Sequence, residues 1–274
     1  MQGVTANLWV TQEYETVLVA GMPKLGKTTL ATSGPLPMVV IACDLGKLSI
    51  CPGQDRSQIL VLPYQDLTRE MGDLGTSSPK RDVYTKLMRD LAEIARSIKN
   101  GEPLKLEDGT EFPTPQTVVL DGFSRLNNML VDGKLSLNGK QYVEDLDKQA
   151  RFNFWGKRLT DVYTTLQQFA SFKKCHLVIT SWVKAQIGKD NEPTGAIIPD
   201  IGGAMDIKTA GVVANTLLVE SRGGKYFVRT KPDAKYPWLG LRDNYTAGAE
   251  IDITVDPTKP GTPWEKVFPK REVK

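Results

Sequence analysis

The chain has only one histidine, His176, and three cysteines among its 274 residues. A single histidine excludes metal centres built from several histidines. The neighbouring Cys175 is badly placed to act with it in catalysis, because adjacent strand residues point to opposite faces. The three cysteines form neither an even disulfide framework nor a Cys-x-x-Cys site, which predicts a reducing, cytoplasmic environment.

The sequence also lacks long apolar segments and a strong charge of either sign. No apolar run approaches about 18 residues, so we predict no membrane span. The first residues lack the basic and apolar regions of a signal peptide. With 35 Lys+Arg and 32 Asp+Glu the net charge is +3, and 40% of the residues are hydrophobic. This composition is typical of a folded globular chain rather than a disordered, collagen-like or coiled-coil one.

One motif indicates a phosphate-binding loop. A short apolar strand, Tyr14–Ala20, leads into Gly21-Met22-Pro23-Lys24-Leu25-Gly26-Lys27-Thr28-Thr29, which matches G-x-x-x-x-G-K-T. The two glycines let backbone N–H groups approach phosphate oxygens, the lysine supplies a charge to the β- and γ-phosphates, and Thr28 offers a hydroxyl to Mg²⁺. The alternative is a turn with an exposed lysine.

Two later strands end in carboxylates suited to a nucleotide site. Thr117–Leu120 precedes Asp121, which we predict as the second magnesium residue; the alternative is a turn-capping aspartate. No glutamate follows Asp121, so the base that activates water must lie elsewhere. Asp44, after the apolar run Met38–Cys43, is the candidate, with a helix N-cap as the other interpretation.

A fourth strand, Cys175–Trp182, ends at the same predicted edge. Ser181 or Trp182 would be placed to sense the γ-phosphate, although Trp182 would equally suit packing against the sheet.

The remaining patterns predict an α/β fold with a mostly parallel central sheet flanked by helices. Apolar residues at helical spacing predict helices over Asp82–Lys99 and Phe152–Lys173. Turn signals predict β-hairpins at 104–112, at 134–142 and, late in the chain, at 216–230. Residues 1–256 are predicted to form the domain, and residues 257–274 a poorly ordered, basic, proline-rich tail.

The order of these motifs resembles the RecA-like P-loop ATPase core. More narrowly, it is similar to the small RecA-like ATPases of bacteriophages that are associated with single-strand annealing. The resemblance covers roughly residues 14–243. It is carried by 21–29, 40–46, 118–124 and the stretch from 176 to 205. It implies ATP and Mg²⁺ as cofactors, hydrolysis, and action on single-stranded DNA in phage recombination, annealing or replication within the host cytoplasm.

The resemblance also implies roles for individual residues. Asp44 matches the catalytic carboxylate, which is usually a glutamate in the family, and Ser181 is the polar candidate for the γ-phosphate sensor. Arg229 and Lys231, with Arg242 as a further candidate, match the basic residues that reach a neighbouring protomer's γ-phosphate.

The family's partners carry over in the same way. Two DNA-contacting loops would lie at about 127–150, with Lys134, Lys140, Tyr142 and Lys148, and at 184–206, with Lys184, Lys189, Gly202 and Gly203. The expected partners are single-stranded DNA, other copies of the chain and a phage single-strand-binding or annealing protein. Only about 20 residues precede the P-loop, so the usual N-terminal polymerisation module is expected to be absent.

Three other functions fit parts of the sequence. Thr230-Lys231-Pro232-Asp233 matches the guanine-specificity pattern of GTPases, and Asp200-Ile201-Gly202-Gly203 matches their D-x-x-G pattern. A nucleoside or nucleotide kinase would need a basic lid, and no compact arginine-rich segment is present. A nucleotide-gated DNA-binding protein with little turnover is the remaining alternative, because aspartate is a short base.

Overall fold

The computed structural model describes residues 14–44, 48–64, 79–140, 146, 164, 174–188, 190–201, 213–241, 250–256 and 261–269. The strands in these ranges are β1 (Thr16–Ala20), β2 (Met38–Ala42), β3 (Ile59–Pro63), β4 (Leu104–Lys105), β5 (Glu111–Phe112), β6 (Thr117–Asp121), β7 (His176–Ile187), β8 (Pro193–Asp200), β9 (Asn215–Arg222), β10 (Lys225–Arg229) and β11 (Glu250–Asp252). The helices are α1 (Lys27–Ala31), α2 (Pro79–Asn100), α3 (Phe123–Leu137) and α4 (Pro263–Val267), with a 3₁₀ turn at Arg56–Gln58.

Nine of the strands form one mixed sheet in the order β11-β10-β9-β1-β7-β6-β2-β3, and β8 pairs with β7. The six strands from β9 to β3 are parallel, whereas β8, β10 and β11 are antiparallel to their neighbours. Every residue of β1, β2 and β6 is buried, as expected for central parallel strands covered on both faces. The predicted fold class is therefore confirmed, including the late antiparallel hairpin.

Helices cover both faces of the sheet. Helices α2 and α3 pack on one face, where Leu87 and Ile94 meet Val118 and Leu120 of β6. Helices α1 and α4 pack on the other face, where Leu30 and Trp264 meet Val119 of β6. Because side chains alternate along a strand, these two clusters show which face each strand residue addresses.

Three predicted elements agree with the structure and one is wrong. The Asp82–Lys99 helix is α2, and the hairpins at 104–112 and 216–230 are β4–β5 and β9–β10. The predicted hairpin at 134–142 is incorrect, since residues up to Leu137 belong to α3. Its Asn-Gly pair ends the helix instead: Gly139 has φ of +65°, and the N–H of Lys140 donates to the Leu135 carbonyl. The predicted helix at 152–173 lies outside the described residues except for Thr164.

The predicted boundary between domain and tail also needs correction, because part of the tail is packed. Thr262 and Glu265 form a capping box at the start of α4. The backbone N–H of Trp264 donates to Ser33 Oγ, and Val267 is fully buried. Residues 261–269 therefore belong to the folded domain rather than to a loose extension.

No helix in the described part of the chain is both long enough and apolar enough to cross a membrane.

The single histidine predicts a pH dependence of stability. His176 Nδ1 accepts a hydrogen bond from the Glu15 backbone N–H at 3.0 Å, and its ring contacts those of Tyr14 and Trp264. Burial lowers the pKa of His176 from 6.5 to about 4. Between pH 6.5 and pH 4 the unfolded chain therefore binds a proton at His176 that the folded chain does not bind. The contribution of the neutral His176 to the free energy of unfolding is fully present above pH 6.5 and is lost as the pH falls towards 4.

We expect the free energy of unfolding to fall by up to about 3 kcal/mol from this group between those pH values. Urea unfolding of the wild type and of His176→Asn at several pH values measures it. The variant lacks the titrating ring, so the difference between the two proteins should shrink at low pH. A constant difference from pH 7 to pH 4 would contradict the assignment.

Candidate functional site

The predicted P-loop connects β1 to α1 at the carboxyl edge of the parallel strands. Gly26 has φ of +89°, which a residue with a side chain rarely adopts, and α1 begins directly after it at Lys27. The loop is also tied to the sheet, because the N–H of Gly21 donates to the Ser181 carbonyl at the end of the buried part of β7. Helix α1 is only five residues long, so an anion site here depends on loop amides and Lys27 more than on a helix dipole.

The side chain of Lys27 folds inward along this loop. It is buried, and its Nζ donates to the carbonyls of Met22 at 2.8 Å and Gly21 at 3.1 Å. Burial lowers the pKa of Lys27, while the negative charges of Asp44 and Asp121 raise it. The ammonium group is therefore held in the loop by oriented carbonyl oxygens. An ammonium group in this position is suited to phosphate oxygens bound by the amides of the same loop.

Asp121, at the end of β6, lies next to the P-loop threonine. Thr28 Oγ1 donates to Asp121 Oδ1 at 3.0 Å, and Thr180 Oγ1 donates to the same oxygen at 2.7 Å. Burial raises the pKa of Asp121, and the two hydroxyl donors and the Lys27 charge act in the opposite direction. The structure thus brings together the two residues, Thr28 and Asp121, that the sequence predicted as magnesium ligands.

Asp44 lies beside this pair. Its carboxyl group packs against Gly122, where an added Cβ would come within 2.8 Å of Asp44 Oδ1. That oxygen is buried, and among the described residues it has no hydrogen-bond partner. A buried carboxylate oxygen without a partner carries a large energetic cost unless a ligand satisfies it.

These residues fit a magnesium ion. Hydroxyl and carboxylate oxygens are its preferred ligands, and it keeps several waters instead of using a full set of protein ligands. The described part of the chain has no group of three or more His, Cys, Asp or Glu side chains that could hold a metal ion. Thr28 and Asp121 would hold the ion, and Asp44 would lie within its water shell.

Ser181, the predicted γ-phosphate sensor, faces away from this group. Val178 contributes to the cluster on the α1 side, whereas Leu177 and Ile179 contribute to the cluster on the α2–α3 side. Alternation therefore directs Ser181 towards α2 and α3, and Thr180 and Trp182 towards the P-loop side. The Ser181 hydroxyl is buried without a partner among the described residues, and Trp182 is partly exposed at 38%.

The residue that the sequence analysis missed is Thr180. Its hydroxyl donates to Asp121 and accepts the N–H of Gly122 at 2.8 Å. Its position in an apolar β-strand gave no local signal. Thr180 could have been distinguished from Ser181 only by assigning alternate residues from Leu177 onwards to the two faces of the strand.

The predicted basic finger lies at the end of β10, on the side of the sheet beyond β9. Arg229 forms ion pairs with Glu220 and Asp233, at 3.3 Å and 2.8 Å, and its guanidinium group lies over the ring of Tyr236. Register places Arg229 opposite Leu218 of β9, which in turn pairs with Ala20, so the chain beyond Arg229 runs back towards the amino-terminal edge. Lys231 is exposed there, and Arg242 lies outside the described residues.

The two predicted DNA-contacting loops are largely regular structure where the chain is described. Residues 127–137 are helical in α3, and 141–145 and 147–150 lie outside the described residues. In the second segment, Lys184–Ile187 and Pro193–Asp200 form the β7–β8 hairpin, and Lys184 pairs with Asp200 at 3.1 Å. Lys189 and 202–206 also lie outside the described residues.

The aspartates of the two GTPase-like patterns, Asp233 and Asp200, make contacts within the local structure. Asp233 accepts the backbone N–H groups of Lys235 and Tyr236 and pairs with Arg229, so its carboxylate caps a turn. Asp200 ends β8 and pairs with Lys184. Both carboxylates are therefore engaged by partners close to them in the local structure.

Comparison with known proteins identifies distant structural neighbours only. No protein-family model and no curated protein matches the chain. Its fold is similar to that of a KaiC-like protein from Pyrococcus horikoshii, with 12% identity, a TM-score of 0.38 and coverage of 89% of this chain and 86% of that one. It is also similar to the RadB recombinase, with 12% identity, a TM-score of 0.44 and coverage of 88% and 87%. At these identities and scores, the chemistry of the site rests on its own residues.

Proposed function

We propose that this chain is a RecA-like P-loop ATPase that binds Mg·ATP and hydrolyses it. The observation that carries the proposal is the contact between the P-loop and the β6 carboxylate, Thr28 Oγ1 to Asp121 Oδ1 at 3.0 Å, with Lys27 held in the loop beside them. A loop of amides, an inward ammonium group and two oxygen ligands together match the needs of a triphosphate with its metal.

Each residue has a distinct role in this proposal. Lys27 neutralises charge on the β- and γ-phosphates, and loop amides from 21 to 29 orient them. Bound magnesium would supply further charge neutralisation at the phosphates. Asp44 takes a proton from the attacking water, a role that its unpartnered buried oxygen suits. The Ser181 carbonyl accepts a hydrogen bond from the P-loop, and the side chains of Thr180 and Trp182 are directed towards the P-loop side of β7.

The proposed biological setting is single-stranded DNA metabolism of a phage in the host cytoplasm, through recombination, annealing or replication. This part depends on the resemblance to the phage RecA-like ATPases. The proposed partners are single-stranded DNA, further copies of the chain and a single-strand-binding or annealing protein.

Hydrolysis assays with ATP and with GTP, each with and without single-stranded DNA, test both parts of this proposal. We expect magnesium-dependent ATP turnover that DNA increases. A strong guanine preference would instead support the GTPase, and tight DNA binding without turnover would support the gated binding protein. Phosphate transfer to a small acceptor would support a kinase.

We further propose that Lys231 reaches the γ-phosphate of a neighbouring protomer. Lys231 is exposed and follows Arg229, where the chain runs towards the amino-terminal edge of the parallel strands, and in this proposal it acts in an assembly. Arg229 is less suited to this role because two carboxylates of its own protomer already engage it.

Lys231→Ala is expected to lower ATP turnover by at least about ten-fold while nucleotide affinity changes little, because a finger stabilises charge that develops during transfer. Lys225→Ala is a matched control on the same hairpin, since this exposed lysine lies at the other end of β10. Steady-state turnover and fluorescent-nucleotide binding measure the two quantities. Loss of affinity in Lys231→Ala without a specific loss of turnover would contradict the role in trans.

A further inference from the structure

The hydroxyl of Thr180 connects three parts of the site that are distant in sequence. It lies on β7, is fully buried, and donates to Asp121 Oδ1 on β6 at 2.7 Å. It also accepts the backbone N–H of Gly122 at 2.8 Å. Gly122 in turn packs against Asp44, after β2.

The direction of these hydrogen bonds is determined. A hydroxyl has one proton, and the Gly122 N–H occupies an acceptor position of Thr180, so the Thr180 proton must go to Asp121. Thr28 donates to the same Oδ1 atom. Two donors therefore fix the carboxylate through one oxygen, while no described residue hydrogen-bonds Oδ2.

We propose that Thr180 is the positioning residue of the magnesium site, holding Asp121 by Oδ1 so that its other oxygen is presented to the metal. The inference rests on the proposed nucleotide-binding function and adds to it a residue that contacts neither metal nor phosphate. Thr180 also holds the Asp121–Gly122 peptide, against which Asp44 packs. Partners of this kind commonly change metal affinity by about 10–100-fold when they are removed.

The test separates magnesium-dependent from magnesium-independent nucleotide binding. Affinity for a fluorescent ATP analogue is measured for the full chain in excess Mg²⁺ and in EDTA. We expect Thr180→Val to weaken binding in Mg²⁺ by at least about ten-fold and to leave binding in EDTA within about two-fold. Thr180→Ser keeps the hydroxyl and should restore the magnesium-dependent affinity.

Thr117→Val is the matched control. Thr117 is also a fully buried threonine, and its hydroxyl donates to the Pro35 carbonyl at 2.7 Å, at the other end of β6. Its loss should change neither affinity, although it removes a buried hydrogen bond of similar kind. If Thr180→Val does not fold, Thr180→Ala removes the same hydroxyl and carries the same expectation.

The outcomes are distinguishable. Wild-type protein that binds no nucleotide in either buffer overturns the proposed function, and the inference with it. Wild-type protein that binds with magnesium dependence, together with a Thr180→Val variant that behaves identically, overturns the inference alone. Equal losses in Mg²⁺ and EDTA would show a purely structural role and would also overturn it.

Discussion

Lys27→Met is expected to reduce ATP affinity or ATP turnover by at least about 100-fold. Methionine retains most of the side-chain volume, so the change removes the charge without leaving a cavity. The lost ammonium group is the one that the Gly21 and Met22 carbonyls hold in the loop. Among the described residues, no other buried Lys or Arg side chain could replace Lys27 beside a phosphate oxygen.

Stability should respond in the opposite sense. Burial lowers the pKa of Lys27, which means that the fold disfavours its charged form even though Asp44 and Asp121 partly compensate. We therefore expect the Tm of Lys27→Met to stay the same or to rise. Thermal unfolding and fluorescent-nucleotide titration measure these two effects.

Lys105→Ala is the control for net charge, since Lys105 is exposed on the separate β4–β5 hairpin. It should leave both binding and Tm close to the wild type. A Lys27→Met protein that hydrolyses ATP at the wild-type rate would reject the P-loop assignment.

Gly122→Ala is expected to be strongly destabilising and to disrupt the site. Gly122 has φ of +83°, a left-handed conformation that costs about 1–2 kcal/mol for a residue with a Cβ. Its added Cβ would also lie 2.7 Å from both the backbone N and the Cγ of Asp44. The backbone atom cannot rotate away, so Asp44 and the end of β2 would have to move.

Comparison with Gly109→Ala separates the clash with Asp44 from the cost of the left-handed conformation. Gly109 has the same φ of +83°, in the β4–β5 turn, but a Cβ there would meet nothing within 4 Å. We expect Gly109→Ala to lose about 1 kcal/mol of unfolding free energy and to keep its nucleotide affinity. Gly122→Ala should lose roughly 2 kcal/mol more, together with most of its magnesium-dependent nucleotide binding.

Urea unfolding of the two variants measures this difference. Equal unfolding free energies would mean that Asp44 does not pack against Gly122 as described. In that case its place beside Asp121 would need revision.

The local motifs were predictable because their information is contiguous. The P-loop is a single run from Gly21 to Thr29, and its chemistry follows from residue types at fixed spacing. Asp121 follows a run of apolar residues that only a buried strand explains. Helix α2 was readable for the same reason, since Val83, Leu87, Leu91, Ile94 and Ile98 repeat on one face.

Signals with two physical meanings misled the sequence analysis. An Asn-Gly pair between apolar residues suits a hairpin turn, but Gly139 also suits the left-handed end of a helix. Helix formation was favoured by Leu126 and Leu130, one helical turn apart on α3 and both buried in the cluster on the α2–α3 side of the sheet. In the same way, the prolines near the C-terminus suggested a loose tail. Pro263 instead starts α4, where Trp264 and Val267 are buried against the sheet.

The sequence by itself determined that this chain carries a P-loop in an α/β sheet, because strand, loop and lysine are adjacent in the chain. Tertiary structure alone decided which polar groups meet around it. Thr180 and Asp121 are 59 residues apart, and the choice between the hydroxyls of Thr180 and Ser181 depends on which face of β7 each one addresses. That face is set by the register of β7 against β1 and β6, a long-range pairing that no local pattern of residues encodes.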